Sequence, residues 1–259
     1  FQRDTADWVF KRLFDEENPT NRFLVADEVG LGKTIVAKGV VAQVLEHLLN
    51  VGDKRHDIVY ICSNSSIARQ NIKKLVPNGV KPLDNVERLT MLPVAELDEG
   101  EDGDAGINLL AISPGTSFAF GRSTGKFQER ALAYTFVREL WGKDLVDNAQ
   151  AMKIFWSGVN DGERKLRDSY QQYKKIARQH LAEFEMQIKN IDAELVAQGQ
   201  PKLKKQFEKL AKDLKFSRGK FPSNLSGSRS EVIGAFRRAL ATLGINMLKP
   251  DLIILDEFQ

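Results

Sequence analysis

Apolar and polar positions recur along this chain at two periods, and the change of period divides it. In residues 1–16, Phe1, Trp8, Val9, Leu13 and Phe14 fall at helical spacing. Arg22 to Ala26 reads as a short buried strand, and Asp27 to Gly32 as a turn. From Lys33 to Asn50 the set Ile35, Val36, Val40, Val44, Leu45 and Leu48 predicts a helix. Asp57 to Cys62 (DIVYIC) predicts a second buried strand, followed by a helix over Ser65 to Leu75. Val86 to Leu92 and Ile107 to Ile112 are further strand candidates, separated by the acidic, glycine-containing loop Asp98 to Gly106. Strands alternating with helices predict an α/β fold, a parallel sheet with helices on both faces.

From about Lys126 to Arg218 no strand is expected. Leu166, Tyr170, Tyr173, Ala177, Leu181, Phe184, Ile188, Ile191 and Leu195 follow one another at steps of 4, 3, 4, 4, 3, 4, 3 and 4, close to a heptad seam. Gly199 and Pro201 interrupt it, and Leu203, Phe207, Leu210 and Leu214 resume it. An antiparallel helical hairpin fits this pattern, its longer arm of about 35 residues spanning roughly 50 Å. A Ser/Gly/Pro-rich stretch, Phe221 to Ser228, then leads to a helix over about Arg229 to Leu243. Asp251 to Leu255 (DLIIL) reads as a last buried strand.

Composition adds exclusions. No apolar run approaches the roughly 18 residues of a membrane span, and none near the start has the length of a signal-peptide core. Cys62 is the only cysteine, so an internal disulfide and a cysteine-clustered zinc site are excluded; a cytoplasmic location is the default expectation. The net charge is +3, but between Glu163 and Lys220 there are 15 Lys or Arg against 8 Asp or Glu. That basic stretch suggests either an anionic partner or a solvated helix surface. His47, His56 and His180 have no ligand spacing and read as surface or packing residues. The start at Phe1 without a methionine, and the end directly after an acidic strand terminus, are those expected of a piece of a longer polypeptide.

The chemistry concentrates in ADEVGLGKT, Ala26 to Thr34, between a predicted strand and a predicted helix. Gly30 and Gly32 allow the backbone to approach phosphate oxygens. The helix that follows presents N–H groups and the positive end of its dipole. Lys33 is placed to reach the β- and γ-phosphates of ATP, and the Thr34 hydroxyl to ligate Mg2+. Asp27 stands where the first glycine of G-x-x-x-x-G-K-[ST] is usual. At the far end, the apolar run Leu252 to Leu255 delivers Asp256 and Glu257, where a P-loop ATPase holds magnesium and orients or deprotonates the attacking water.

Asp27-Glu28-Val29-Gly30-Leu31-Gly32-Lys33-Thr34 resembles the D-E-x-G-x-G-K-T motif of the Swi/Snf-type branch of superfamily 2 helicases and translocases. The resemblance covers Phe1 to about Leu75 and about Arg229 to Gln259. It implies a P-loop NTPase, RecA-like lobe, with residues 1–125 as its first part and 229–259 completing it, and 126–228 as an inserted helical, coiled-coil hairpin subdomain. Asp27 to Thr34 would then bind ATP, Lys33, Asp256 and Glu257 would be catalytic, and Thr34 and Asp256 would hold Mg2+. Gln2 sits where related ATPases read the adenine edge. Ser63, Asn64, Ser65 and Arg69 occupy the position that touches the nucleic-acid backbone in the family, although Ser63 to Ser66 also suit a helix cap. Ser113 to Thr116 resembles a further family motif, and a plain turn explains it nearly as well. Phe258 and Gln259 depart from the family's usual Ala-His or Ala-Asp. The implied partners are double-stranded DNA, a second RecA-like lobe of the same polypeptide, and a protein on the helical hairpin. That second lobe supplies an arginine finger in the family, so these residues alone are expected to bind ATP and hydrolyse it poorly.

Two other readings share features of the chain. Lys33 and Asp256 are 223 residues apart, with a coiled-coil pattern between them and Leu225-Ser226-Gly227-Ser228 ahead of the acidic pair; this is also the plan of an SMC-type ATPase. Alternatively, ATP acts only as a switch on a scaffold whose hairpin binds a protein.

Overall fold

The computed structural model of the chain describes residues 1–15, 17–26, 32–51, 54–76, 88–101, 105–117, 120–121, 123–214 and 220–256. They form two compact units. The first comprises 1–87, 95–116 and 248–259, and the second 88–94 and 117–247.

The first unit is mixed α/β. Its elements are α1 (Gln2–Leu13), α2 (Lys33–Val51), β1 (Arg55–Cys62), α3 (Ser65–Leu75), β2 (Gly106–Ile112), α4 (Pro114–Ser117) and β3 (Pro250–Asp256). The three strands make an open parallel sheet in the order β2-β1-β3. Ile58, Tyr60 and Cys62 of β1 point to one face with Leu109, Leu252 and Ile254, and Val41, Leu45, Ala68, Ile72 and Leu75 of α2 and α3 cover them. The opposite side of α2 packs on α1 through Ala6, Val9, Val36, Val40, Val44 and Leu48. Gly39 makes that approach close, since a Cβ there would lie 2.9 Å from the Ala6 methyl. Helix α2 has the length and apolar composition to cross a membrane, but its buried valines and leucines are those of a helix packed in a core.

A buried carboxylate pins the sheet at its amino end. Asp57 is fully buried. It accepts from Arg55 Nε at 3.0 Å and Nη2 at 2.7 Å, from Asn108 Nδ2 at 2.9 Å, and from the Lys249 N–H at 3.0 Å. Its own N–H donates to Asp251 at 2.9 Å. One side chain thus ties β1 to β2 and to the entry of β3, where the β1–β3 register shifts between Asp57 and Ile58. A buried charge is tolerated because every direction around it holds a donor.

Three expectations are corrected here. Arg22 to Ala26 is not a strand; Phe23 and Leu24 are exposed. A run of a few apolar residues has the composition of a buried strand, but composition does not supply a sheet edge to pair with. The strand β3 is formed but not buried: Ile253 is 52% and Leu255 66% exposed. It lies at the sheet edge, and the helices reach only the face carrying Leu252 and Ile254. Residues 89–92 belong to a 3-10 helix, Leu89–Val94, rather than a strand, while Val86 and Glu87 lie outside the described residues. Leu89 and Leu92, three apart, share its buried face against the last helix of the second unit.

The second unit is helical among the described residues: α5 (Phe127–Trp141), α6 (Lys143–Val146), α7 (Ala149–Trp156), α8 (Gly162–Gln179), α9 (Leu181–Ala197), α10 (Leu203–Asp213) and α11 (Ser226–Met247). Residues Ala131 to Val137 of α5 are buried on every side, so α5 is the axis of the unit. The apolar seam read from the sequence is present, but its long arm is two helices, α8 and α9, divided at His180. The helix α8 packs on α5, α9 on α11 and α5, and α10 on α7, α11 and α9. Leu166, Tyr170, Tyr173, Ala177, Phe184, Ile188 and Ile191 are therefore buried within a many-helix core. The turn at Gly199 to Pro201 joins α9 to α10, fixed by the Leu203 N–H on Asp192 at 2.7 Å. The Ser/Gly stretch before Arg229 is partly helical, since α11 already begins at Ser226. Serine and glycine favour helix starts as well as loops.

Candidate functional site

In a parallel sheet, ligands bind outside the carboxyl ends of the strands. In the first unit those ends carry Cys62 and Ser63 from β1, Ile112 and Ser113 from β2, and Asp256 from β3, opposite Cys62 in register. The Ser113 hydroxyl donates to the Ser63 carbonyl at 3.1 Å and ties two of these ends together.

Asp256 is held by residues that motif reading did not single out. The Tyr60 hydroxyl donates to Asp256 Oδ2, and Asn71 of α3 donates to the Tyr60 oxygen at 3.1 Å and to the same Oδ2 at 3.5 Å. Burial first, and then the bond to Asp256, pushes the Tyr60 phenol well above its ordinary pKa, so it remains a donor. Both bonds fall on Oδ2, and among the described residues none is recorded on Oδ1. A tyrosine inside an apolar strand was the available signal, because a buried phenolic O–H must find an acceptor.

Lys33 and Thr34 open α2, and the Gly32 carbonyl accepts from the Ile35 and Val36 N–H groups at 2.7 and 3.1 Å. The first turn of α2 contains no acidic residue, and its leading N–H groups have no intrahelical acceptor. This is an electropositive helix start. Gly32 has φ +84°, and a Cβ there would lie 2.7 Å from Gln2 Nε2. The side chain of Gln2 therefore lies against the glycine that begins the helix, although the two are thirty positions apart in sequence. The candidate residues Asp27, Glu28, Val29, Gly30 and Leu31, and also Glu257, Phe258 and Gln259, lie outside the described residues.

The candidate nucleic-acid residues follow β1. Asn64 caps α3, its Oδ1 accepting from the Ser66 and Ile67 N–H groups at 2.9 and 3.3 Å. Ser63 and Arg69 are exposed and Ser65 is half-buried. Leu225 ends a short 3-10 turn, and Ser226 to Ser228 form the start of α11 in the second unit. His56 is fully buried, with Nδ1 3.6 Å from Asp251, which agrees with a packing role. Among the described residues no group of three or more His, Cys, Asp or Glu is arranged to hold a metal ion. A magnesium ion here would take Asp256, a hydroxyl and waters, in keeping with the few protein ligands that ion accepts.

No family model matches the chain, and neither the curated proteins nor the solved structures provide a match.

Proposed function

We propose that the chain is the ATP-binding, RecA-like lobe of a cytoplasmic ATP-dependent DNA translocase or helicase. The observation that carries this reading is the held carboxylate of Asp256 at the carboxyl end of a parallel strand, in the same unit as a Gly-Lys-Thr helix start. Gln2 against Gly32 adds a second polar group at that start. In this reading the N–H groups of the α2 first turn and Lys33 bind the phosphates. Magnesium supplies charge neutralisation on the β- and γ-oxygens when bound. Thr34 and Asp256 hold it, with Tyr60 and Asn71 orienting the carboxylate, and Glu257 positions the attacking water. DNA runs over the carboxyl-edge residues Ser63, Ser65 and Arg69.

Charge on the helical unit supports an anionic partner. Lys205, Lys209 and Lys212 lie on one face of α10 and line a single groove with Asn148, Gln150 and one acidic residue, Glu208. None of the three makes an ion pair with a described residue.

The test is magnesium-dependent ATP turnover by the longest available form of the protein. It is run with no nucleic acid, single-stranded DNA and double-stranded DNA, beside Glu257→Gln. DNA stimulation that disappears in the variant supports the motor. ATP binding indifferent to both DNA forms refutes it and leaves a nucleotide-switched scaffold.

A further inference from the structure

We propose that Arg130 and Arg229 form a binding site for a phosphate-class oxyanion in the helical unit, separate from the candidate ATP site. Arg130 comes from α5 and Arg229 from the first turn of α11, and both reach the carbonyl of Ser157, just past the end of α7. Arg130 Nη1 donates to it at 2.9 Å and Arg229 Nη2 at 3.0 Å, while Arg229 Nε donates to the Ile154 carbonyl at 2.7 Å. Two guanidinium groups thus meet on one neutral oxygen.

The counter-charge is committed elsewhere. Glu129, beside Arg130 in sequence, is fully buried, and its two oxygens receive Arg88, Arg237, Thr90 and the Lys126 N–H. Burial disfavours the Arg130 cation, the charge of Glu129 offsets this only in part, and the Glu129 oxygens are occupied by other donors. The carboxyl end of α7 offers the partial negative charge of a helix terminus, and Arg229 and Arg130 also lie over the rings of Phe221 and Phe127 at 4.7 and 5.9 Å, but neither source is a full negative charge. Arg130 is 6% exposed, and its Nε is buried without a hydrogen-bond partner; the indole N–H of Trp156, next to Ser157, is in the same condition. Burial, followed by the charge of Arg130, lowers the Arg229 guanidinium to about 10. That direction is the one expected of a cation that lacks a compensating anion.

The surroundings suit an oxyanion. Arg229 is only partly buried, so the approach from solvent is on its side of the pair, Arg130 being buried. The first turn of α11 has no acidic residue, Ser226 and Ser228 are exposed, and the space where Gly227 would carry a Cβ is open. Planar guanidinium groups are complementary to tetrahedral oxygens. The competing account is that the two arginines only cap α7.

The experiment is a titration of the full chain with inorganic phosphate against chloride at matched ionic strength, followed by thermal denaturation. A Lys33→Ala background separates the result from the ATP reading. A saturable rise in melting temperature with phosphate, weakened on the order of tenfold in Arg229→Lys, supports the site, because lysine keeps the charge and loses the bidentate fork. Arg229→Gln removes the charge as well, and Arg229→Lys remains the informative variant if the glutamine form does not fold. A parallel arm measures duplex DNA binding. If the bound oxyanion belongs to a DNA backbone, Arg229→Lys weakens that binding and phosphate competes with it; if it is free phosphate, DNA binding is unchanged. A phosphate response equal to that of chloride, or one fully retained in both variants, overturns the proposal.

Discussion

Glu129→Gln should unfold the helical unit at markedly lower denaturant. The carboxylate takes Arg88 Nη1 at 2.9 Å, Thr90 Oγ1 at 2.8 Å, the Lys126 N–H at 2.7 Å and Arg237 Nε at 2.9 Å. Glutamine has nearly the same shape and keeps one acceptor, but its NH2 turns hydrogens toward donors that cannot accept them. Arg237, 1% exposed, then loses the carboxylate that its Nε meets at 2.9 Å. Breaking a buried pair from one side costs about 3–5 kcal/mol, and the retained acceptor recovers no more than about 1 kcal/mol of neutral hydrogen bonding. The expected loss is therefore about 2–4 kcal/mol. Urea titration followed by tryptophan emission in a Trp8→Phe background reads this unit, because Trp141 and Trp156 both belong to it. Restricting the signal to one unit matters, since a chain of two compact units need not unfold in one step. The double variant Glu129→Gln, Arg237→Met should lose clearly less than the sum of the two single variants, because both single variants break the same ion pair. A Glu129→Gln protein within about 1 kcal/mol of the parent would refute the reasoning, since that is the scale of a single neutral hydrogen bond.

The same logic applied to the sheet gives Asp57→Ala a cost of about 3–5 kcal/mol, read as loss of hydrogen-exchange protection of the β1 amides at lower urea. Gly32→Ala should weaken ATP binding at least tenfold in an equilibrium nucleotide titration, since φ +84° disfavours alanine and its Cβ meets Gln2; unchanged affinity would remove Gly32 from the site. Burial on its own would raise the Asp147 carboxyl, but Arg138 and the Tyr134 hydroxyl outweigh it and hold it below the ordinary value of 3.8. Its contribution is then complete above the unfolded value and disappears as pH falls through the lower, folded one. Asp147→Asn should accordingly flatten the fall in stability of the helical unit below about pH 5, and an identical pH profile would contradict this. If α10 faces DNA, changing Lys205, Lys209 and Lys212 to Gln should lower the slope of log affinity against log salt by about 0.9 for each phosphate that is no longer neutralised. An unchanged slope would move the DNA path away from this groove.

The elements that are legible in the sequence are those whose burial is one-sided and long. Over α3, Ala68, Ile72 and Leu75 repeat at helical spacing and Asn64 supplies a cap, so sequence and structure agree on Ser65 to Leu75. In α2 and β1 the agreement is within a few residues for the same reason. The errors occur where a short apolar run admits several partners. FLVA at 23–26 and LTML at 89–92, the end of the strand expected over Val86 to Leu92, have the composition of strands, yet the first is coil with exposed Phe23 and Leu24, and the second winds into a 3-10 helix. Periodicity reports which face is apolar and is silent on what will cover it. The seam of α8 to α10 illustrates the same limit. Its heptad steps predict two arms that pack on each other, but α5 is buried on all sides and must be surrounded, so the seam residues turn toward α5 and α11.

The polar groups are less legible still, because their partners are remote in sequence. Asp57 meets Lys249, Tyr60 meets Asp256, and Glu129 meets Arg237; each pair lies more than one hundred residues apart. A motif scan finds residues whose chemistry is local, as in Gly32-Lys33-Thr34, and it overlooks the side chains that orient them. Tyr60 and Asn71 bear directly on the candidate site, because a carboxylate that is to bind magnesium must present one oxygen in a fixed direction. Tyr60→Phe removes the donor while leaving the strand apolar and the volume nearly unchanged. The carboxylate then keeps only the longer Asn71 bond, so magnesium-dependent ATP binding should weaken while binding of nucleotide without magnesium stays as it was. If both fall equally, Tyr60 serves the fold of the strand; if only the magnesium-dependent part falls, Tyr60 serves the orientation of Asp256.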